Sequence, residues 1–190
     1  MRLFLAVTLP DDVLASIGRA TAELRETATG VRWVRPELLH LTMKFLGERP
    51  DGDDRRVGDA LQVPLSRVRG CDAEIRGAGA FPNFRRPRVV WLGMHPPAPL
   101  AAIARAVDEA LVPLGIGAES RPFRAHITLG RVEHGLAAPD AEAVERALGE
   151  LRAVWPVPVY DLALVQSTLA RGGPTYRVLE RFPLGSSGAS

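Results

Sequence analysis

His40-Leu41-Thr42-Met43-Lys44-Phe45-Leu46 alternates polar and apolar residues, and His126-Ile127-Thr128-Leu129 repeats its first four positions in kind 86 residues later. Residues two apart on a strand share a face. His40 and Thr42 are therefore predicted to project together while Leu41, Met43 and Phe45 enter a core. His126 and Thr128 project likewise over Ile127 and Leu129. The same shift carries more than the tetrapeptide. It lays Arg2 to Val7 on Arg88 to Gly93, Pro10 on Pro96, and a first helical pattern on Leu100 to Leu114. It also lays Asp53 to Val68 on Pro139 to Leu151 and Ala73 to Phe81 on Val159 to Ser167. Chance readily supplies one H-x-T pair, but not matching element order on both sides at a single offset. The reading is a tandem duplication about a pseudo-twofold axis, with strands separated by helices, so each half is a sheet with helices and the fold class is α+β.

Around these strands the other elements follow from pattern. Leu3 to Thr8 is an apolar strand ended by Pro10. Asp11 or Asp12 offers an N-cap for a helix through Val13, Leu14, Ile17 and Leu24. Val31 to Val34 is a brief strand stopped by Pro36. Asp53 to Val68 reads as a helix, Ala73 to Phe81 and Val89 to Met94 as strands, Leu100 to Leu114 as a helix and His126 to Val132 as a strand. Pro139 to Leu151 is a helix, and Val157 to Leu169 and Thr175 to Phe182 are the closing strands. Residues 1–184 are expected to form one bilobal domain, and 185–190, small and polar, a disordered tail.

Composition narrows the function classes. The chain has 190 residues, 46% apolar and 24% charged, enough for a core. Its 24 basic residues against 22 acidic ones leave a formal charge of +2, which does not by itself announce a nucleic-acid binder. Lys44 is the only lysine; a guanidinium excess suits phosphate recognition but reflects compositional bias first. With Cys71 alone there is no intrachain disulfide and no cysteine-rich zinc site, and a reducing compartment fits. The apolar start at Leu3 to Leu9 is too short for a signal sequence and lacks a small-residue cleavage site. The longest uncharged run, Val89 to Ala104, is broken by Pro96, Pro97 and Pro99 and cannot cross a bilayer as a regular helix. A soluble, cytoplasmic protein without a membrane partner is expected.

The paired H-x-T strands carry the chemistry. Brought side by side by a twofold, they would face two imidazoles and two hydroxyls across one groove. Imidazole titrates near 6.5, so near neutral pH one ring can serve as base and the other as acid. Threonine hydroxyls can donate to the non-bridging oxygens of a phosphate. One strand histidine taken singly is usually a surface or satisfied core residue; its repetition in phase shifts the weight to catalysis. His95 and His134 have no such counterpart and read as surface residues. No second ligand sits at H-x-H or H-x₃-H spacing, so a metal site is disfavoured. There is no G-x-S-x-G, no histidine beside Cys71, and neither a P-loop nor a strand-linked G-x-G-x-x-G, so no cofactor is expected.

Arg121, Arg124 and Arg131 gather around the second motif. Arg131 has the wrong parity for a flat strand and reaches the groove only if Gly130 bulges or ends it; on that condition it is taken as a phosphate contact. Arg121 and Arg124 read as solvated charge. Arg85, Arg86 and Arg88 form a basic loop that either meets a nucleic-acid backbone or keeps a turn solvated. Trp33, Phe45 and Trp91 are read as core before base platforms.

On these residues the chain resembles the 2H phosphoesterase superfamily, and within it the bacterial and archaeal RNA 2′,3′-cyclic phosphodiesterases, also called 2′-5′ RNA ligases. The resemblance runs the full length, from Arg2-Leu3-Phe4 through His40-Leu41-Thr42 and Phe45-Leu46-Gly47, then Gly79-Ala80-Phe81-Pro82 and Arg121 to Arg131, to Tyr176 to Leu184. It implies two lobes, each a mainly antiparallel sheet with two helices, and a cleft holding both motifs. By position His40 and His126 would be the catalytic pair, and Thr42, Thr128 and Arg131 the phosphate binders. The implied reaction opens a 2′,3′-cyclic phosphate on RNA or a nucleotide to a 2′-phosphate without metal or cofactor, with 2′-5′ ligation as its reverse. Ala125 stands where relatives often have proline. Which histidine is acid and which base stays open, with His126 as base written first. A non-catalytic RNA or nucleotide binding module, and a phosphodiesterase for ADP-ribose cyclic phosphate or 2′-5′ oligonucleotides, are the alternatives. A monomer is the default.

Overall fold

The computed structural model describes residues 1–185. β1 (Arg2–Thr8) buries Leu3, Leu5 and Val7 in the main core and turns Phe4 and Ala6 to the opposite face, into a small cluster with Ala163 and Val165. Pro10 precedes α1 (Asp11–Ala20); Asp11 and Asp12 lie inside its first turn, favourably placed in the helix dipole, but neither caps it with its side chain. The pattern expected to run on to Leu24 breaks at Thr21, whose buried hydroxyl donates to the Ile17 carbonyl at 2.9 Å, and a short α2 (Ala22–Thr27) follows.

After β2 (Arg32–Trp33) come β3 (His40–Glu48), α3 (Asp53–Ser66), β4 (Cys71–Phe81), β5 (Val89–His95) and α4 (Pro97–Leu111). Then follow β6 (His126–Arg131), α5 (Ala138–Gly149), β7 (Trp155–Val159), β8 (Asp161–Ala170) and β9 (Gly173–Pro183). The single strand expected over Val157 to Leu169 is two strands. The chain breaks at Tyr160 because β7 pairs with β4 and β8 with β1, near opposite ends of the sheet. Of the expected tail, Gly185 is held by backbone bonds to Val68 and Gly70, and 186–190 lie outside the described residues.

The strands form one antiparallel sheet in the order β7-β4-β5-β6-β3-β1-β8-β9, with β2 attached to β6. Matching β7 with β9, β4 with β8, β5 with β1 and β6 with β3, this order reads the same from both ends. At its centre β3 and β6 meet at one bridge, Leu41 to Ile127, and these two residues are themselves pseudo-twofold mates. The sheet is therefore two lobes of four main strands each, one of them with β2 added, joined at that bridge, as the bilobal reading requires.

The lobes are not the two halves of the sequence. β4 from the first half pairs with β5, and β8 from the second half pairs with β1. The helices cross over as well: α4 packs on β3 beside α3, while α5 packs on β4, and Ser16 of α1 accepts the Trp155 indole N–H of β7 at 2.9 Å. Each lobe thus has two main helices, one from each half, and α2 is additional.

Two bulges at matching positions decide which side chains face the cleft. Ala6 lies opposite Thr42 but Leu5 opposite Lys44, so Met43 is the extra residue on β3. Trp91 lies opposite Thr128 but Val90 opposite Gly130, so Leu129 is extra on β6. Beyond each bulge the parity reverses. Phe45, expected in the core, is 56% exposed, and Lys44 is buried in its place. The pairings also equate Ala6 with Trp91, a shift of 85. The 86-residue alignment of Arg2 to Val7 was thus one residue out of register, which put Leu5 rather than Ala6 on Trp91.

Candidate active site

His40 and His126 each open their β-strand, and each ring is pinned to the backbone two residues upstream. Nδ1 of His40 donates to the Leu38 carbonyl and Nδ1 of His126 to the Arg124 carbonyl, both at 2.7 Å. A carbonyl only accepts, so the proton sits on Nδ1, and in the neutral ring Nε2 carries a free lone pair. His40, Thr42, His126, Thr128 and Arg131 all line one cleft of about 1590 Å³. Since Leu41 pairs with Ile127 in antiparallel register, Thr42 is brought toward His126 and Thr128 toward His40. The register thus sets each histidine across from the threonine of the opposite repeat.

Aromatic rings wall both histidines. Phe4 lies 4.8 Å from His40, and Tyr176 meets that ring edge-on at 5.4 Å. On the other lobe Phe81 meets His126 edge-on at 5.0 Å, with Trp91 at 6.4 Å. Burial pushes the His40 imidazolium below its usual range, only partly opposed by the bond to Leu38. His126 is lowered too, by burial first and with a contribution from the Arg131 guanidinium, against the bond to Arg124. In the free protein both rings are therefore biased toward the neutral form.

Arg131 meets the condition the sequence imposed on it, by a different residue. The bulge is at Leu129 rather than Gly130, and the resulting parity change turns Arg131 to the cleft, at the position matching Phe45 in the first repeat. Its charge is felt on both sides, since it also opposes the burial-driven rise of the Tyr176 phenol on β9. Gly130 has its own role. A Cβ there would come within 2.5 Å of Val31 Cγ1 and 3.0 Å of the Trp33 ring, so its missing side chain lets β2 pack against β6 just before Arg131.

Arg121 and Arg124, read from sequence as solvated charge, are exposed and line the cleft; Arg124 also lies over the Phe81 ring at 5.7 Å. Arg85, Arg86 and Arg88 do not line it, and the Arg86 N–H instead bonds Asn83 within the loop. His134 is exposed away from the cleft, while His95 is half-buried in a small separate pocket with Asp72 and Glu74. Trp33 packs against the main core, as expected, and also lines the cleft, while half-buried Trp91 flanks His126. Tyr176, named from sequence only within the closing stretch of the resemblance, is not assigned to the site there, because it reaches His40 only through the β8–β9 hairpin. Among the described residues no group of three or more His, Cys, Asp or Glu side chains is placed to hold a metal ion.

Two strand-borne histidines, each with a threonine two residues on, facing one cleft across the pseudo-twofold of an α+β sheet, define a 2H phosphoesterase. The chain belongs to the 2′-5′ RNA ligase superfamily, whose family profile matches residues 9–171. It is 34% identical over 186 residues to the RNA 2′,3′-cyclic phosphodiesterase of Methanothermobacter thermautotrophicus, covering 97% of this chain and 99% of that protein. To the Thermus thermophilus protein of the same name it is 38% identical over 194 residues, covering 97% and 90%. The crystal structure of E. coli LigT complexed with 3′-AMP is similar at a TM-score of 0.76 and 29% identity, over 96% of this chain and 97% of that one.

Proposed function

We propose that this chain is an RNA 2′,3′-cyclic phosphodiesterase acting by two-histidine acid–base catalysis. The observation that carries the reading is the matched pinning of both Nδ1 atoms, which frees two Nε2 atoms toward one cleft. His126 Nε2, kept neutral beside Arg131, takes a proton from water as its oxygen attacks phosphorus. The bond from phosphorus to the 3′ oxygen breaks, and protonated His40 delivers its Nε2 proton to that oxygen, leaving a 2′-phosphate. Lobes facing each other across a twofold suit in-line attack, which needs base and acid on opposite sides of phosphorus. Thr42, Thr128 and Arg131 hold the non-bridging oxygens. The anionic substrate favours an imidazolium and so restores the charge that burial disfavours in the free protein. Reversal, with a 5′-hydroxyl in place of water and a 2′,3′-cyclic end, forms a 2′-5′ linkage.

Both histidines and both threonines come from one chain, which supports a monomer. No helix of the described residues is long and apolar enough to cross a membrane, and with a single free Cys71 this supports a cytoplasmic setting. Replacing either histidine by Ala removes a role worth about 10²- to 10⁴-fold, so His40→Ala and His126→Ala should each lose at least about a hundredfold in turnover with unchanged melting behaviour. The assay is product analysis on a panel of cyclic phosphates, ADP-ribose cyclic phosphate and 2′-5′ oligonucleotides included, with chelator present. Near-normal rates in both variants would remove the mechanism, and binding without turnover by the wild type would leave a recognition module.

A further inference from the structure

Lys44 is the only lysine in the chain, and its side chain is 1% exposed. The Met43 bulge turns it to the core face of β3, where Nζ donates to Asp108 Oδ1 of α4 at 2.5 Å and to the Gly117 carbonyl at 2.7 Å. The other carboxylate oxygen of Asp108 accepts the Glu119 backbone N–H at 3.2 Å. A buried ammonium without these acceptors would be costly, so the cluster holds together as a unit. Its matching position in the second repeat is Gly130, so this cluster serves one side of the cleft only.

What it grips is the segment from Gly115 to Ala125, which lies between α4 with its terminal turn and β6 and has no regular structure. Arg121 and Arg124 on this segment line the cleft. The cleft, at about 1590 Å³, exceeds the roughly 300–1,000 Å³ of a small-molecule pocket. Neither arginine has an acidic partner within ion-pair distance among the described residues. They lie upstream of His126 on the chain, with Arg124 over the Phe81 ring that meets this histidine.

We propose that the Lys44–Asp108 pair is a positioning device for the 115–125 wall, holding Arg121 and Arg124 so that the enzyme favours substrates whose nucleotide chain continues beyond the terminal cyclic phosphate. The inference rests on the function proposed above. Lys44 touches neither imidazole. The pair's anchors on the wall, the Gly117 carbonyl and the Glu119 N–H, lie upstream of the Arg124 carbonyl that pins His126. Its loss therefore acts on the binding of the extended chain, while that pin, made at the start of β6, is kept.

The test compares a 2′,3′-cyclic mononucleotide with a short oligoribonucleotide ending in the same group, using wild type, Lys44→Met, Asp108→Asn and the double variant. Loss of the arginine contacts is expected to raise KM for the oligonucleotide about tenfold, the equivalent of one charge-assisted contact. kcat on both substrates and KM for the mononucleotide should stay within about threefold. The double variant should lose no more than the worse single one, because the pair acts as a unit. Should Lys44→Met fail to fold, Asp108→Asn, at a partly exposed position, gives the same comparison. An unchanged ratio of oligonucleotide to mononucleotide KM in a folded variant, or equal losses on both substrates, overturns the inference. Failure of the wild type on both substrates would instead overturn the proposed function.

Discussion

At His40 and His126 the decisive feature is which nitrogen points where. Pinning Nδ1 to a carbonyl settles the tautomer before substrate arrives, and burial holds the imidazolium below its usual range in both rings. A productive free enzyme needs one ring neutral and one protonated, and both titrations are displaced downward. The bell for kcat/KM, which reports the free enzyme, should therefore have its maximum on the acid side of about 6.5. The bell for kcat, measured with the phosphate anion bound, should lie at higher pH. The limbs belong to the coupled pair rather than to either ring. Arg131→Gln removes one of the influences lowering His126, so its kcat/KM bell should move toward higher pH while KM rises; a bell that stays in place would show that Arg131 does not act on His126. His and Thr were legible in the sequence because period-two repetition in two copies marks them. Tyr176 and Phe81 were not legible as neighbours of the imidazoles, because their approach depends on strand pairings that no local pattern encodes.

At the scale of single elements, β3 and β6 owe the aim of their cleft side chains to one extra residue each just past the H-x-T face, and β3 carries a second one further on, at Leu46. The Met43 and Leu129 bulges leave the H-x-T face intact and reverse the parity of the residues just beyond it, which exposes Phe45, buries Lys44 and delivers Arg131 to the cleft. Alternation in residue type could not reveal the Met43 bulge: Lys44 is polar and Phe45 apolar, the pattern a flat strand would also show. Arg131 did point to the second bulge, though only as a condition and one residue late, at Gly130: a cation in the wrong phase reaches the cleft only through a break in phase. β6 is further constrained by Gly130, whose missing side chain admits Val31 and Trp33. Gly130→Ala drives a Cβ into both. It should cost about 1–3 kcal/mol, the usual range for overpacking, and should raise KM because Arg131 is the next residue. Urea denaturation and steady-state kinetics on the same variant check both effects, and a variant as stable as wild type would mean that β2 yields without cost.

For the whole molecule, the duplication was readable from the sequence, whereas the exchange between its halves was not. An 86-residue repeat predicts two like units but does not say which unit each strand joins; that is set by long-range pairing. In the folded chain β1 finds β8 and β4 finds β5, while Trp155 of the second half bonds Ser16 of the first. Each half alone would leave β1 and β4, or β5 and β8, short of a neighbour and the helices without the sheet they cover. Leu5, Ile75, Leu92 and Leu164, all fully buried, would each forgo about 1.5–3 kcal/mol of burial, a large share of a domain's net stability of roughly 5–15 kcal/mol. Residues 1–86 and 87–185 expressed separately should therefore show no cooperative unfolding by circular dichroism. Mixed together, they should recover a cooperative transition and, with it, turnover, because each fragment brings one H-x-T strand to the Leu41–Ile127 bridge. A fragment that melts cooperatively by itself would mean that each repeat pairs its own strands, and the exchange would then be no condition for closing the cleft.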